Sequence, residues 1–347
     1  MARQAIGIPT PLIKEGDDLI KIIPDSIFRV LEPKSGDIIG ITESIVARSQ
    51  GNYVTLDDVA AEVRRLNTKN LPIRLWYPIY SRNRFAMILK GIARATDEIE
   101  IIMPEIDEVG NIIRNHPFTG MNYDDYYREI CENEGCKTII QSKIHYNSIN
   151  SHFNINCQLR PPTKSSGNFI TLKDICSDKT EYGLLGSNKA TEEKLKLFPN
   201  TKKAQQLVDQ IQSMFKQKGY DLEVMVYADG CFKDPFAGIW EFADPVTSPA
   251  YTKGLEGTPN EIKLKAFIDQ SDLTGKELEN YIKDTINHKS NLFNKMDSQG
   301  TTPRRKIDLY VSLMDLLSGS GDAGIPIIIL RDFNSNYASN NSTRLDN

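Results

Sequence analysis

The chain has 347 residues, 39% of them hydrophobic and 25% charged, enough to bury a core without disulfide or metal staples. That length suits two domains, or one large domain with insertions, and the composition excludes a disordered or collagen-like chain. With 42 basic and 46 acidic residues the net charge is −4, which excludes a strongly basic nucleic-acid binder but not a binder of phosphate-bearing small molecules.

Residues 7–11 carry two prolines and read as extended chain. Asp17 is expected to cap a helix over 19–31, broken at Pro24. Residues 38–46 form a β-rich run. Thr55 is expected to cap a helix over 56–66, with Asp57 and Asp58 in its first turn. A helical period follows over 81–95, then a strand over 99–103, an acidic turn, a helix over 123–134 and a strand over 138–140. Residues 147–170 and 177–200 are polar and read as insertions or an interdomain segment. Residues 204–216 form an amphipathic helix and 222–227 a strand. Residues 229–261 are rich in Gly, Pro and Asp but hold five aromatics, and read as an ordered loop over a site. Helices are expected over 264–287 and 307–317, then a glycine turn over 319–324 and a buried strand over 325–330.

The five cysteines form no CxxC pair, so free thiols are the reading, and the histidines show neither metal spacing nor a nucleophile partner. There is no apolar stretch of signal-peptide or membrane-span length, and the expectation is a soluble cytoplasmic protein without membrane or nucleic-acid partners. The letters GxGxxG occur at Gly319 to Gly324, but they follow a helix and open a strand, the reverse of a dinucleotide fingerprint. That turn is either a glycine C-cap or a cradle of backbone N–H groups for phosphate. Asp107, Glu108 and Asn111 lie in a turn after a strand, and Asp229 directly follows another. Each is either a solvated turn or a set of hard oxygen ligands suited to Mg²⁺ or Mn²⁺. Arg82 and Arg84 stand at a helix start, where cations are unfavourable unless an anion joins them; otherwise they are two exposed arginines.

Five blocks occur in one order: GIPTPLIKEGDDL, GDIIGITESIVARSQGNYV, IDEVGN, YADG and DLYVSLMDLLSGSGDAGIPIIIL. In that order the sequence resembles the γ-glutamyl ligases that add glutamate to the deazaflavin coenzyme F420. The resemblance implies an α/β (mixed α+β) fold of that ligase type with a long central insertion. It implies a homodimer that uses GTP (or ATP) and a divalent metal, Mg²⁺ or Mn²⁺, on small-molecule substrates. Nucleotide contacts would fall on Gly7, Ile8, Pro9, Thr10, Ser44, Arg48, Asn111, Gly319, Ser320, Gly321 and Asp322. Metal would be held by Asp107, Glu108 and Asp229, and an anionic substrate would meet Arg82 and Arg84. Three positions depart from the family pattern: Gly230 replaces a threonine, Ser44 a lysine, and Ser320 a longer polar side chain.

The division expected from these blocks is 1–113 and 221–333 as two parts of one ligase-like domain, 114–220 as an insertion or second subdomain, and 334–347 as a tail. The expected reaction joins L-glutamate through a γ-glutamyl linkage to a coenzyme F420-like acceptor by way of an acyl phosphate. The alternatives are the same chemistry on a folate-like or cell-wall precursor, and a nucleotide-binding protein without turnover.

Overall fold

A computed structural model describes residues 3–79, 82–106, 114–116, 119–142, 150–157, 169–228, 231–233, 240–242, 248–256, 268–269, 271–288, 305–318 and 324–333. Its strands, in chain order, are β1 (Gln4–Ile8), β2 (Ile38–Thr42), β3 (Tyr53–Thr55), β4 (Ile73–Trp76), β5 (Glu98–Ile102), β6 (Lys137–Gln141), β7 (Phe153–Asn156), β8 (Phe169–Thr171), β9 (Asn188–Thr191), β10 (Lys194–Lys196), β11 (Glu223–Tyr227), β12 (Cys231–Lys233), β13 (Trp240–Phe242), β14 (Ala250–Tyr251) and β15 (Ile327–Arg331). The α-helices are α1 (Leu19–Val30), α2 (Glu43–Ser49), α3 (Leu56–Leu66), α4 (Arg82–Ala93), α5 (Tyr123–Asn133), α6 (Thr201–Gln217), α7 (Gly275–His288) and α8 (Lys306–Ser318). The fold is mixed α/β.

Two five-stranded sheets organise these elements. The first has the order β1-β15-β2-β11-β14, with β2 and β11 parallel and the other pairs antiparallel. Its inner strands β2, β11 and β15 are almost wholly apolar because both of their faces are covered. Ile39, Ile41, Val224 and Val226 pack on α1 and α6, while Ile38, Met225 and Ile328 pack on α8. The second sheet has the order β6-β5-β4-β7-β8 and is wholly parallel. Its first strand lies in the middle, and the chain winds outward first on one side and then on the other. Ile73, Leu75, Ile101 and Ile155 face a core shared with α3, α4 and α5. A three-stranded antiparallel sheet, β3-β10-β9, completes the main body.

Several expectations are met closely. Thr55 caps α3 and forms a full capping box with Asp58. Helices α4, α5, α6 and α8 and strands β5, β6, β11 and β15 lie within a few residues of where periodicity places them.

Four expectations need correction. Helix α1 runs through Pro24, because Leu19, Ile23 and Ile27 bury a continuous face that outweighs one lost hydrogen bond. Its cap is Asp18, which accepts the Ile20 N–H at 3.0 Å, whereas Asp17 closes the preceding turn on the Lys14 N–H. The run 38–46 is strand only to Thr42, and α2 starts at Glu43. An apolar run buried on all sides has no period to separate strand from helix. Of the helix expected over 264–287, residues 271–274 are not helical and α7 begins at Gly275.

The segment 147–170, read from its polarity as an insertion, contains β7, which sits beside β4 inside the second sheet. Asn154 and Asn156 are buried on the face opposite Ile155, and Asn154 Oδ1 accepts the Trp76 indole N–H at 2.9 Å. On the same face Arg74 pairs with Glu100, and Gln141 donates to Glu100 Oε1 at 2.7 Å. The division expected at 113/114 falls between β5 and β6 of this one sheet, and α6, assigned to 114–220, packs on the first sheet. Among the described residues no helix is long and apolar enough to cross a membrane.

Candidate functional site

Four segments leave the first sheet at one edge. Strand β1 ends at Ile8, which pairs with Ile327, the first residue of β15. Ile327 also pairs with Ile41, and the Thr42 N–H donates to the Pro326 carbonyl at 2.9 Å. Strand β11 is parallel to β2 and ends with Tyr227 opposite Thr42. The segments after β1, β2 and β11 and the segment before β15 therefore meet at the carboxyl end of the parallel pair. Open α/β sheets place ligands at such an edge.

A cleft of about 320 Å³ lies there. Its polar wall is Thr10, Thr42, Ser44, Arg48 and Ser318. Its apolar wall is Pro11, Leu12, Ile13, Ile45, Ile325 and Pro326. The i, i+4 spacing of Ser44 and Arg48 puts both on one face of α2. Arg48 is exposed, and its guanidinium has no hydrogen-bond or ion-pair partner among the described residues. Leu12 is 91% exposed, a large apolar side chain standing free at the cleft. No carboxylate lines the cleft as described. Hydroxyls and one guanidinium suit an anion, and the apolar wall suits a flat ring or hydrocarbon.

Among the residues expected at a nucleotide site, the structure brings Thr10, Ser44 and Arg48 together. Gly7 and Ile8 lie in β1 behind the cleft, and Pro9 is exposed between them and Thr10. A Cβ on Gly7 would come within 2.5 Å of Ile325 Cγ2, so glycine lets β1 pass the cleft wall. Ser318 and Gly324 line the cleft and border the turn at Gly319, Ser320, Gly321 and Asp322, which lies outside the described residues. Asp107, Glu108, Asn111 and Asp229 also lie outside them, although Ala228, next to Asp229, follows β11 at this edge. Among the described residues no group of three or more His, Cys, Asp or Glu could hold a metal.

Arg82 opens α4, and its side chain is outside the described set. Arg84 is 8% exposed, donates through Nε to the Ser187 carbonyl at 2.9 Å, and does not line the cleft. The sequence reading missed Pro11, Leu12, Ile13, Thr42, Ile45, Ile325 and Pro326 as lining. All lie within blocks already singled out, so taking whole blocks instead of their polar letters would have found them.

A profile of the F420-0:gamma-glutamyl ligase family matches residues 7–332, nearly the whole chain. The chain belongs to that family. Membership makes this protein an enzyme, a ligase that adds glutamate. The match includes the polar middle of the chain, consistent with β7 lying inside the second sheet. Among curated proteins none matches the chain.

Proposed function

We propose that the protein attaches L-glutamate, through a γ-glutamyl linkage, to a coenzyme F420-like acceptor with consumption of GTP or ATP, the nucleotide binding in the cleft at the edge of the first sheet. The observation that carries this reading is the convergence of Thr10, Ser44 and Arg48, with Ser318 and Gly324, on one amphiphilic cleft. Its apolar wall suits a nucleobase, and Arg48 and the hydroxyls suit phosphate oxygens.

The chemistry follows from the weakness of a carboxylate as an electrophile. One acceptor carboxylate oxygen takes the terminal phosphoryl group, which leaves the nucleoside diphosphate. The glutamate amine then attacks the acyl carbon, the C–O bond to phosphate breaks, and the amine gives up a proton. Charge on the transferring phosphoryl oxygens is met by the Arg48 guanidinium and by the Ser44 hydroxyl, while the Thr10 hydroxyl, which donates to the Pro11 carbonyl at 2.9 Å, would have to turn to join them. Asp107, Glu108 and Asp229 are the residues that would hold Mg²⁺ or Mn²⁺, a charge that neutralises phosphate oxygens when bound. No covalent protein nucleophile is needed. The active form is proposed to be a homodimer.

The test is a thermal melt with GTP or ATP, with and without Mg²⁺ or Mn²⁺. A ligand at about 100 times its dissociation constant adds roughly 2.7 kcal/mol of stability, a shift of a few degrees for a chain this long. A metal-dependent shift with one nucleotide, followed by glutamate-dependent phosphate release, supports the ligase. Mass analysis of the product then separates a coenzyme F420-like acceptor from a folate-like or cell-wall one. No shift in cooperatively melting protein overturns the reading, and a shift without turnover in the presence of glutamate and acceptor points to a binding protein.

A further inference from the structure

The helix that presents Ser44 and Arg48 is held at both ends by one stretch of chain. At its start, Lys196 Nζ in β10 contacts both carboxylate oxygens of Glu43, at 2.6 and 2.8 Å. Beyond its end, the Leu197 N–H donates to the Asn52 carbonyl at 2.9 Å, and the Asn52 amide to the Phe198 carbonyl at 3.1 Å. The Asn200 N–H donates to Gln50 Oε1 at 2.9 Å. Three of these contacts are neutral and would brace α2 by themselves. The fourth is a charge pair with both members buried, Lys196 at 5% and Glu43 at 8% exposure. Such a pair must repay the desolvation of two ions, and an apolar pair in its place is often as stable. Bracing alone gives no reason for it.

The position of Glu43 gives one. It lies between Thr42 and Ser44, which both line the cleft. An uncompensated carboxylate there would repel any anion that Arg48 attracts. At an effective dielectric constant of about 20, a unit charge roughly 10 Å away changes an anion's affinity by about tenfold. We propose that Lys196 is a positioning residue of the cleft that cancels the Glu43 charge, so that among the described residues lining the cleft the Arg48 cation is not opposed by a neighbouring carboxylate. On the reading above, on which this rests, the anion that Arg48 attracts is the nucleotide phosphate.

A pure brace and a charge canceller differ in the sign of one variant. Dissociation constants for GTP or ATP with Mg²⁺, whichever stabilises the parent protein, are measured for the parent, Lys196→Met, Glu43→Gln and the double variant. Charge cancelling predicts about a tenfold or greater loss for Lys196→Met. It predicts no loss for Glu43→Gln, and recovery to within about threefold in the double variant, where no charge is left. A brace predicts comparable losses in both single variants and no recovery in the double, and that result overturns the proposal. If Lys196→Met fails to fold, Glu43→Gln and the double variant still read the sign, since the double leaves no unpaired ion. Equal affinity in all four proteins overturns the role of Lys196 and leaves the nucleotide site standing. No binding by the parent overturns both.

Discussion

Arg48 reaches the cleft with no hydrogen-bond or ion-pair partner for its guanidinium among the described residues, which separates it from Arg84, whose Nε is committed to a carbonyl. Arg48→Ala should therefore weaken nucleotide binding by about tenfold or more, the worth of a charge-assisted contact. Because the side chain is exposed, the denaturant midpoint without ligand should hardly move. A nucleotide-induced thermal shift that stays as large as the parent's would remove Arg48 from the site. Gly7→Ala acts from behind: its methyl would press on Ile325, a cleft-wall residue that is branched at Cβ and has little room to yield. The expected result is lower stability by about 1–3 kcal/mol together with weaker nucleotide binding, read from denaturant and ligand titrations of one preparation. Thr10, Ser44 and Arg48 were singled out in the sequence by the family resemblance, and the structure places all three on one cleft. Leu12 was not singled out, because an apolar letter normally means core and only the folded chain shows this one facing solvent.

Local structure was read best where a side chain answers its own backbone. The α3 capping box needs only Thr55 and Asp58, and the Thr55 N–H and hydroxyl hold the Asp58 carboxyl below its usual range. Thr55→Ala should cost about 1 kcal/mol in a urea midpoint, and no change would mean that the box is redundant. A longer-range cluster ties three helices to the β9–β10 turn: Arg94 pairs with Asp57, Glu134 and Glu193, and Lys90 reaches Glu193 at 2.7 Å. Arg94 and Lys90 hold the Glu193 carboxyl down to about 2, from a usual 4.5. Its folded value lies below its unfolded one, so its stabilisation is complete above the unfolded value and is lost as pH falls towards the folded one. Glu193→Gln should flatten the fall in stability between about pH 5 and pH 2. The effect should be small, because the site is open to solvent. An unchanged acid limb would show that Glu193 is not part of it. The boundary between β2 and α2 was misread because no local signal marks it. Thr42 makes no side-chain cap, and Glu43 is instead neutralised from β10, far along the chain.

At the scale of the molecule, the first sheet is closed by the two ends of the chain. Gln4 pairs with Arg331, and β15 lies between β1 and β2. Removing residues 319–347 would take out that strand, leaving β1 without a partner and baring one edge of β2. The expected product aggregates or melts without cooperativity, because a bared apolar strand edge is a template for association. A soluble truncated protein with a cooperative melt would contradict this assignment. Such remote pairing also predicts slow refolding compared with helical proteins of similar stability.

Sequence alone determined the fold class, the Thr55 cap of α3, the approximate extents of α4, α5, α6 and α8 and of strands β5, β6, β11 and β15, and the family whose motifs it carries in order. Those features depend on neighbours within a turn or two of chain, so their physics is written in adjacent letters. Tertiary structure alone decided that FNIN is a central strand, that the helix at Leu19 survives its proline, and that Thr10, Ser44, Arg48 and Ile325 share one cleft. It alone paired Glu43 with Lys196. Each of those outcomes is set by what arrives from a distant part of the chain: a partner for a buried amide, a sheet to cover a helix face, a cation for a carboxylate.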